Sequence, residues 1–243
     1  MRENKSMQVK LLGYVENAEK IIAACSKATR SKPAEDLLSD LTVKEARRHI
    51  GKVLSRGHEG ISEFAYFIFS ISGISRVLTH QLVRHRIASY LQMSSREANL
   101  SHASFIVPPI ILRDKKKYSV FEETVNVARQ NYEKLVKAGV PLEDARYLLP
   151  DSLETHISMA IDGRSLNNFF GLRLCERAQW EIRELATEMR NQVMKTSPAL
   201  FWSEPRPCIR RGACPEGKKS CGFVNKEEFG RQRRKFLEGY PSE

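Results

Sequence analysis

Two apolar runs with strand character, FAYFIFSIS at Phe64–Ser72 and LETHISMAI at Leu153–Ile161, stand far apart in the chain, and helical periodicity dominates between and around them. The first is rich in aromatic and β-branched residues. In the second, Leu153, Thr155, Ile157, Met159 and Ile161 alternate onto one face. A further strand, QVKLLGYV at residues 8–15, opens the pattern. Apolar stripes predict helices over Glu16–Lys27, from an N-cap at Thr42 to a stop at Gly57, and over Ile74–His85 after a break at Gly73. Others are predicted over Ser119–Ala138, Arg164–Cys175 and Ala178–Ser197. Residues 86–109 read as irregular with strand-like SFIVPP near their end, Lys115–Lys117 as a solvated loop, and Pro198 as the close of the ordered pattern. Helices outnumber strands and do not alternate strictly with them. This places the chain in the α+β class, a small mixed or antiparallel sheet packed by helices.

Composition bounds the function. The chain has 243 residues, enough to bury a core without disulfides or a metal. No apolar run approaches a membrane span, and the start MRENKSMQVK has no hydrophobic stretch behind its charges, so neither a membrane protein nor a secretory signal is expected. The five cysteines form an odd, non-repeating set, which points to a reducing, cytoplasmic compartment. The net charge of +11 favours anionic partners. It is concentrated: residues 205–243 carry ten Lys/Arg against five Asp/Glu, and residues 76–117 carry eight against two. A nucleic-acid reader would show a basic recognition helix or aromatics interleaved with charge, and neither is present.

The second concentration contains RHRIASYLQMSSR, Arg84 to Arg96, with three arginines, one histidine and three serines in thirteen residues. Guanidinium forks beside hydroxyls suit a phosphate or a planar heterocycle, because arginine binds oxyanions bidentately and stacks on rings. A phosphatase Arg-His-Gly nucleophile is excluded, since Arg86 stands at the glycine position. The pattern Arg84-His85-Arg86, seven residues, Ser94, one residue, Arg96 resembles the signature of the flavin-dependent thymidylate synthases. Gly57-His58-Glu59 with Glu63, Gln81, Ala145-Arg146 before Leu148-Leu149-Pro150, Arg164-Ser165-Leu166, Asn168-Phe169-Phe170, Leu172-Arg173 and Ala178-Gln179-Trp180-Glu181 extend it in order over residues 8–200.

The resemblance implies a homotetramer that binds FAD between subunits and converts dUMP to dTMP, with methylenetetrahydrofolate as one-carbon donor and NADPH as reductant. It implies flavin contacts at His58, Gly60, Glu63, Arg84, His85, Arg86, Gln92, Asp162, Arg164, Asn168 and Arg177. It implies nucleotide contacts at Gln81, Arg84, Gln92, Ser94, Ser95, Arg96, Arg146 and Arg173, with Arg173 as the catalytic residue. Leu91 stands where many relatives carry asparagine, Asp162 where some carry asparagine, and Arg177 where some carry histidine. Singly, each position has a plainer reading. His58 suits a turn, Gln81 and His85 one helix face, and Arg164 and Asn168 a mutual hydrogen bond. Arg146 suits a pair with Glu143 or Asp144, and Arg173 a helix end answering the dipole.

The domain expectation is one unit over residues 1–204 and a basic tail over 205–243. Cys208, Cys214 and Cys221 in that tail are spaced unlike a zinc set, so no metal is expected and free thiols in a loose tail are. Two other functions fit parts of the sequence: a flavoprotein NADPH oxidase that lost methylation, and a basic nucleic-acid-binding module. The expectation is an enzyme acting on a nucleotide, with no nucleic acid or membrane as partner.

Overall fold

Side-chain caps start several of the helices. The computed structural model describes residues 7–240; the opening residues read above for a secretory signal lie partly outside that range. Four strands are present among the described residues: β1 (Gln8–Tyr14), β2 (Tyr66–Ser75), β3 (Ser89–Gln92) and β4 (Glu154–Asp162). The helices are α1 (Ala18–Ala28), α2 (Ala34–Leu38), α3 (Val43–Ser55), α4 (Arg76–Leu82), α5 (Pro109–Leu112), α6 (Lys115–Lys137), α7 (Leu142–Ala145), α8 (Gly163–Arg173), α9 (Trp180–Thr196), α10 (Pro207–Arg211) and α11 (Glu227–Glu238). The strands form one antiparallel sheet in the order β1-β2-β4-β3, so the fold is α+β as expected.

Thr42 caps α3 as predicted: its hydroxyl accepts the Glu45 N–H at 3.2 Å while the Glu45 carboxylate takes the Thr42 N–H at 2.9 Å. Gly57 then adopts φ +87° and ends the segment. Five expectations are corrected. Gly73 does not break β2; it takes φ +68° within the strand, which runs on to Ser75. Ser75 is the N-cap of α4, accepting the Leu78 N–H at 3.1 Å, and α4 stops at Leu82, so His85 lies beyond it. Lys115–Lys117 is not a loop, because Asp114 accepts the N–H groups of Lys116 and Lys117 at 3.0 and 3.2 Å and starts α6 there. Residues 86–109 contain β3, and SFIVPP supplies only a single bridge, Phe105 to Leu153. Pro198 does not close the order: α10 and α11 follow it, with Ile209 and Phe223 buried.

The chain forms two units. The first holds Ser70–Arg84 and Tyr90–Met159. Its core includes Leu100, Tyr132, Ala145 and Leu153, and the Tyr132 hydroxyl accepts the Leu100 N–H at 3.1 Å. The second holds Val9–Phe69, His85–Ser89 and the chain from Ala160 onward. Here Phe67 and Phe170 both meet Phe201 edge-on, at 5.5 and 5.8 Å between centroids. Buried Glu19 bridges Arg47 Nε (2.6 Å) and the Ala199 N–H (2.7 Å), so the carboxylate is paired and hydrogen-bonded. Gln192 on α9 closes the outer edge of β1, accepting from Leu11 N–H and donating to the Val9 carbonyl, both at 2.6 Å. Leu12, Tyr14, Tyr66 and Ile68 are exposed on β1 and β2.

Candidate active site

In the first unit the candidate residues cluster around the end of α4 and the turn after β3. Tyr90 on β3 donates its hydroxyl to the Leu82 carbonyl at 2.9 Å, satisfying one of the orphan acceptors at the end of α4. Burial pushes its phenol up to about 12, so it remains a donor. Gln92 donates to the Thr79 hydroxyl at 3.1 Å, a second tie from β3 to α4. Gln81 is half-buried in the last turn of α4, and Arg84 is exposed just past its end.

Downstream, Ser95 is buried and accepts from Arg146 Nη1 at 2.7 Å. Arg146 Nε donates to the Glu143 backbone carbonyl at 2.9 Å, while the Glu143 carboxylate takes Arg96 Nε at 3.0 Å. The sequence pairing of Arg146 with the Glu143 or Asp144 side chain therefore does not form. Glu143 instead joins the two arginines, one through each of its oxygen types. Ser94, Ser95, Arg96 and Arg146 so present two guanidinium groups with hydroxyls, a constellation suited to a phosphate. Thr79 and Tyr90 were not singled out from sequence, because nothing local marks a threonine or tyrosine as the support of another residue, and Glu143 was expected only as a side-chain partner of Arg146.

In the second unit His58, Gly60 and Glu63 are exposed and lie at or within the 3-10 turn Glu59–Phe64. Arg164 in the first turn of α8 donates to Glu63 at 2.6 Å, and that carboxylate holds its guanidinium above the usual range. Asn168, its suggested partner, is exposed one turn further on. Asp162 caps α8 by accepting the Ser165 N–H at 2.9 Å. Arg164 also lines a cavity of about 110 Å³ with Ser62 and Trp202, and with Arg210 and Phe236 from the tail. Arg177 donates to the Lys219 carbonyl at 2.7 Å, so its guanidinium holds the tail. An open groove of about 720 Å³ beside Trp180, Arg183 and Arg206 contains none of the candidate residues.

His85 and Arg173, distant in sequence, meet in this unit. Arg173 Nε donates to His85 Nε2 at 3.0 Å, and the imidazole stands edge-on against Phe169 with centroids 4.9 Å apart. Burial first, and then the charge of Arg173, hold the imidazole down at about 4. Burial also lowers Arg173. Arg84 and Arg86, flanking His85, are both exposed. Among the described residues no three His, Cys, Asp or Glu side chains gather as metal ligands.

Charged donors without a Gly-rich loop or a metal cluster leave several phosphate-binding families open, and comparison with known proteins separates them. The family model described as Thymidylate synthase complementing protein matches residues 10–199. The chain belongs to this family.

The match takes in both groups of candidate residues and ends before the tail. Whole proteins agree. The chain is 40% identical over 233 residues to the flavin-dependent thymidylate synthase of Clostridium tetani, covering 89% of this chain and 93% of that protein. It is 40% identical over 219 residues to that of Geobacter sulfurreducens, covering 89% and 94%. To that of Pyrococcus furiosus it is 43% identical over 185 residues, covering 72% and 75%. The partners that these arginines take in this chain, Glu63, Glu143, Ser95 and His85, are read from the structure.

Proposed function

We infer that this chain is a flavin-dependent thymidylate synthase that methylates dUMP to dTMP with a folate one-carbon donor and FAD. The observation that carries the reading is the likeness to flavin-dependent thymidylate synthases along nearly the full length of both chains. Methylenetetrahydrofolate is the donor and NADPH the reductant in this proposal. The residues present suit a flavin dinucleotide: Arg84, Arg86 and Arg164 are exposed cations able to meet its phosphates, and His58, Gly60, Glu63 and Asn168 are exposed as well. When bound, the flavin supplies the hydride that, with the methylene carbon, completes the methyl group on the pyrimidine.

The chain's own residues bind and polarise. Arg96 and Arg146, with Ser94 and Ser95, hold the nucleotide phosphate, and Gln81, Arg84 and Gln92 address the base and sugar. Arg173 donates to the uracil ring and stabilises the negative charge that develops on it, which lowers the barrier to loss of the N3 proton. Residues 1–204 carry the reaction, and 205–243 extend it. The exposed Leu12, Tyr14, Tyr66 and Ile68 on β1 and β2 support assembly into a homotetramer. No helix among the described residues is long and apolar enough to cross a membrane, which fits the cytoplasmic placement proposed from the cysteines.

The test is the absorbance spectrum of the purified protein followed by thymidylate formation from dUMP, methylenetetrahydrofolate and NADPH. A flavin spectrum with turnover supports the reading. NADPH oxidation without thymidylate would make the chain a flavoprotein oxidase. A colourless protein with salt-steep DNA binding would make it a nucleic-acid module.

A further inference from the structure

The Arg-His-Arg segment follows the end of α4 as non-helical chain, and its three side chains separate: Arg84 and Arg86 are exposed, and His85 between them is half-buried. Its Nε2 meets Arg173 Nε at 3.0 Å, across 88 residues of sequence, and its ring packs edge-on against the fully buried Phe169, one turn before Arg173 on α8.

We propose that His85 is a positioning residue for Arg173, its neutral imidazole accepting the Nε–H and setting the plane in which the guanidinium meets its ligand. An arginine Nε only donates, so Nε2 must be the acceptor, and the proton of the neutral ring sits on Nδ1. Protonation would remove that lone pair and place two cations together, and the depressed titration of the ring, driven by burial and by Arg173 itself, keeps the acceptor in place at neutral pH. Phe169 fixes the tilt of the imidazole, because an edge-to-face ring pair resists rotation. A guanidinium is planar. With its Nε engaged, rotation about the Cδ–Nε bond is restrained and the edge carrying the two terminal nitrogens faces one direction. Among the described residues those two nitrogens have no hydrogen-bond partner, so they are the ones left to present to a ligand. The arrangement also gives a reason why lysine cannot replace Arg173: a single ammonium cannot both answer His85 and face a substrate in a defined plane.

This inference rests on Arg173 acting on the nucleotide base, and its test separates the two. His85→Phe keeps a ring against Phe169 and removes the acceptor, whereas His85→Gln places an amide oxygen near the position of Nε2. With the flavin-loaded enzyme at saturating dUMP and folate, His85→Phe should lose about ten- to a hundredfold in kcat through misplacement of the guanidinium, with flavin content retained and KM for dUMP changed far less. His85→Gln should recover most of that loss. In an Arg173→Ala background, His85→Phe should cost nothing further, since the residue acts only through Arg173. With 15N-labelled arginine, the shifted and exchange-protected Arg173 Nε–H resonance should be present in wild type and His85→Gln and absent in His85→Phe, whatever the activity. Equal behaviour of the two variants, or flavin lost in step with turnover, would overturn the positioning role and return His85 to the cofactor. A wild type that makes no thymidylate would overturn the reaction assigned to Arg173, while the resonance would still decide whether His85 orients it.

Discussion

At the scale of single residues, the arginines divide by what already occupies them. Arg96 and Arg146 are drawn toward each other through Glu143 and Ser95, in a cluster that is largely exposed. The Arg96–Glu143 pair, with side chains 65% and 49% exposed, adds little to stability. Arg96→Ala should therefore leave the melting temperature nearly unchanged while weakening dUMP binding at least about tenfold, the effect of losing one charge-assisted hydrogen bond. Isothermal titration with dUMP measures it, and unchanged affinity in both Arg96→Ala and Arg146→Ala would move the phosphate elsewhere. Arg173→Lys should keep part of the nucleotide affinity and lose most of the turnover, and near-normal turnover in Arg173→Ala would reduce that residue to a helix-end charge. His85 also sets a pH dependence. Its titration is lowered from 6.5 in the unfolded chain to about 4 in the folded one, so the unfolded chain takes up a proton first as the pH falls. Stability is lost between about pH 6.5 and 4 and levels off below, so thermal melts should fall more steeply in that window for wild type than for His85→Phe.

At the scale of elements, caps and buried tail residues decide what holds. Thr42→Ala removes an exposed capping box and should cost about 1 kcal/mol in denaturant unfolding, without touching flavin content. The tail is the sharper case. Ile209 is fully buried, Arg206 lies 3.8 Å over the buried Phe223 ring, and Arg210 pairs with Glu59 in the turn next to His58. Ile209→Ala should cost about 2–5 kcal/mol, the range for truncating a buried aliphatic, whereas a loose tail would show no loss. Truncation after Glu204 should lower the melting temperature and flavin occupancy together. The order of this segment was not legible from sequence because its apolar residues are few and scattered among ten cations, and periodicity needs a longer stripe to register. The start of α6 was missed for a related reason: three lysines look solvated, and they are, but exposure is compatible with a helix once Asp114 caps it.

At the scale of the whole molecule, the exposed side chains of β1 and β2 are where assembly would be read out. In the proposed homotetramer, with flavin bound between subunits, Ile68→Lys should shift light-scattering mass away from a tetramer and reduce flavin binding with it. A flavin-loaded monomer would contradict that arrangement. Local, ordered features were legible in the sequence: the alternation that makes Thr155, Ile157, Met159 and Ile161 one buried face, the cap at Thr42, and the arginine spacing on which the family resemblance rests. Those follow from periods of two and near four residues and from fixed spacings, which any stretch of chain carries with it. Only the tertiary structure decided the partners. Glu63 meets Arg164 across 101 residues, Ser95 meets Arg146 across 51, and His85 meets Arg173 across 88. Which of several possible acceptors a guanidinium takes depends on burial and distance after the chain has folded, and no local pattern encodes either.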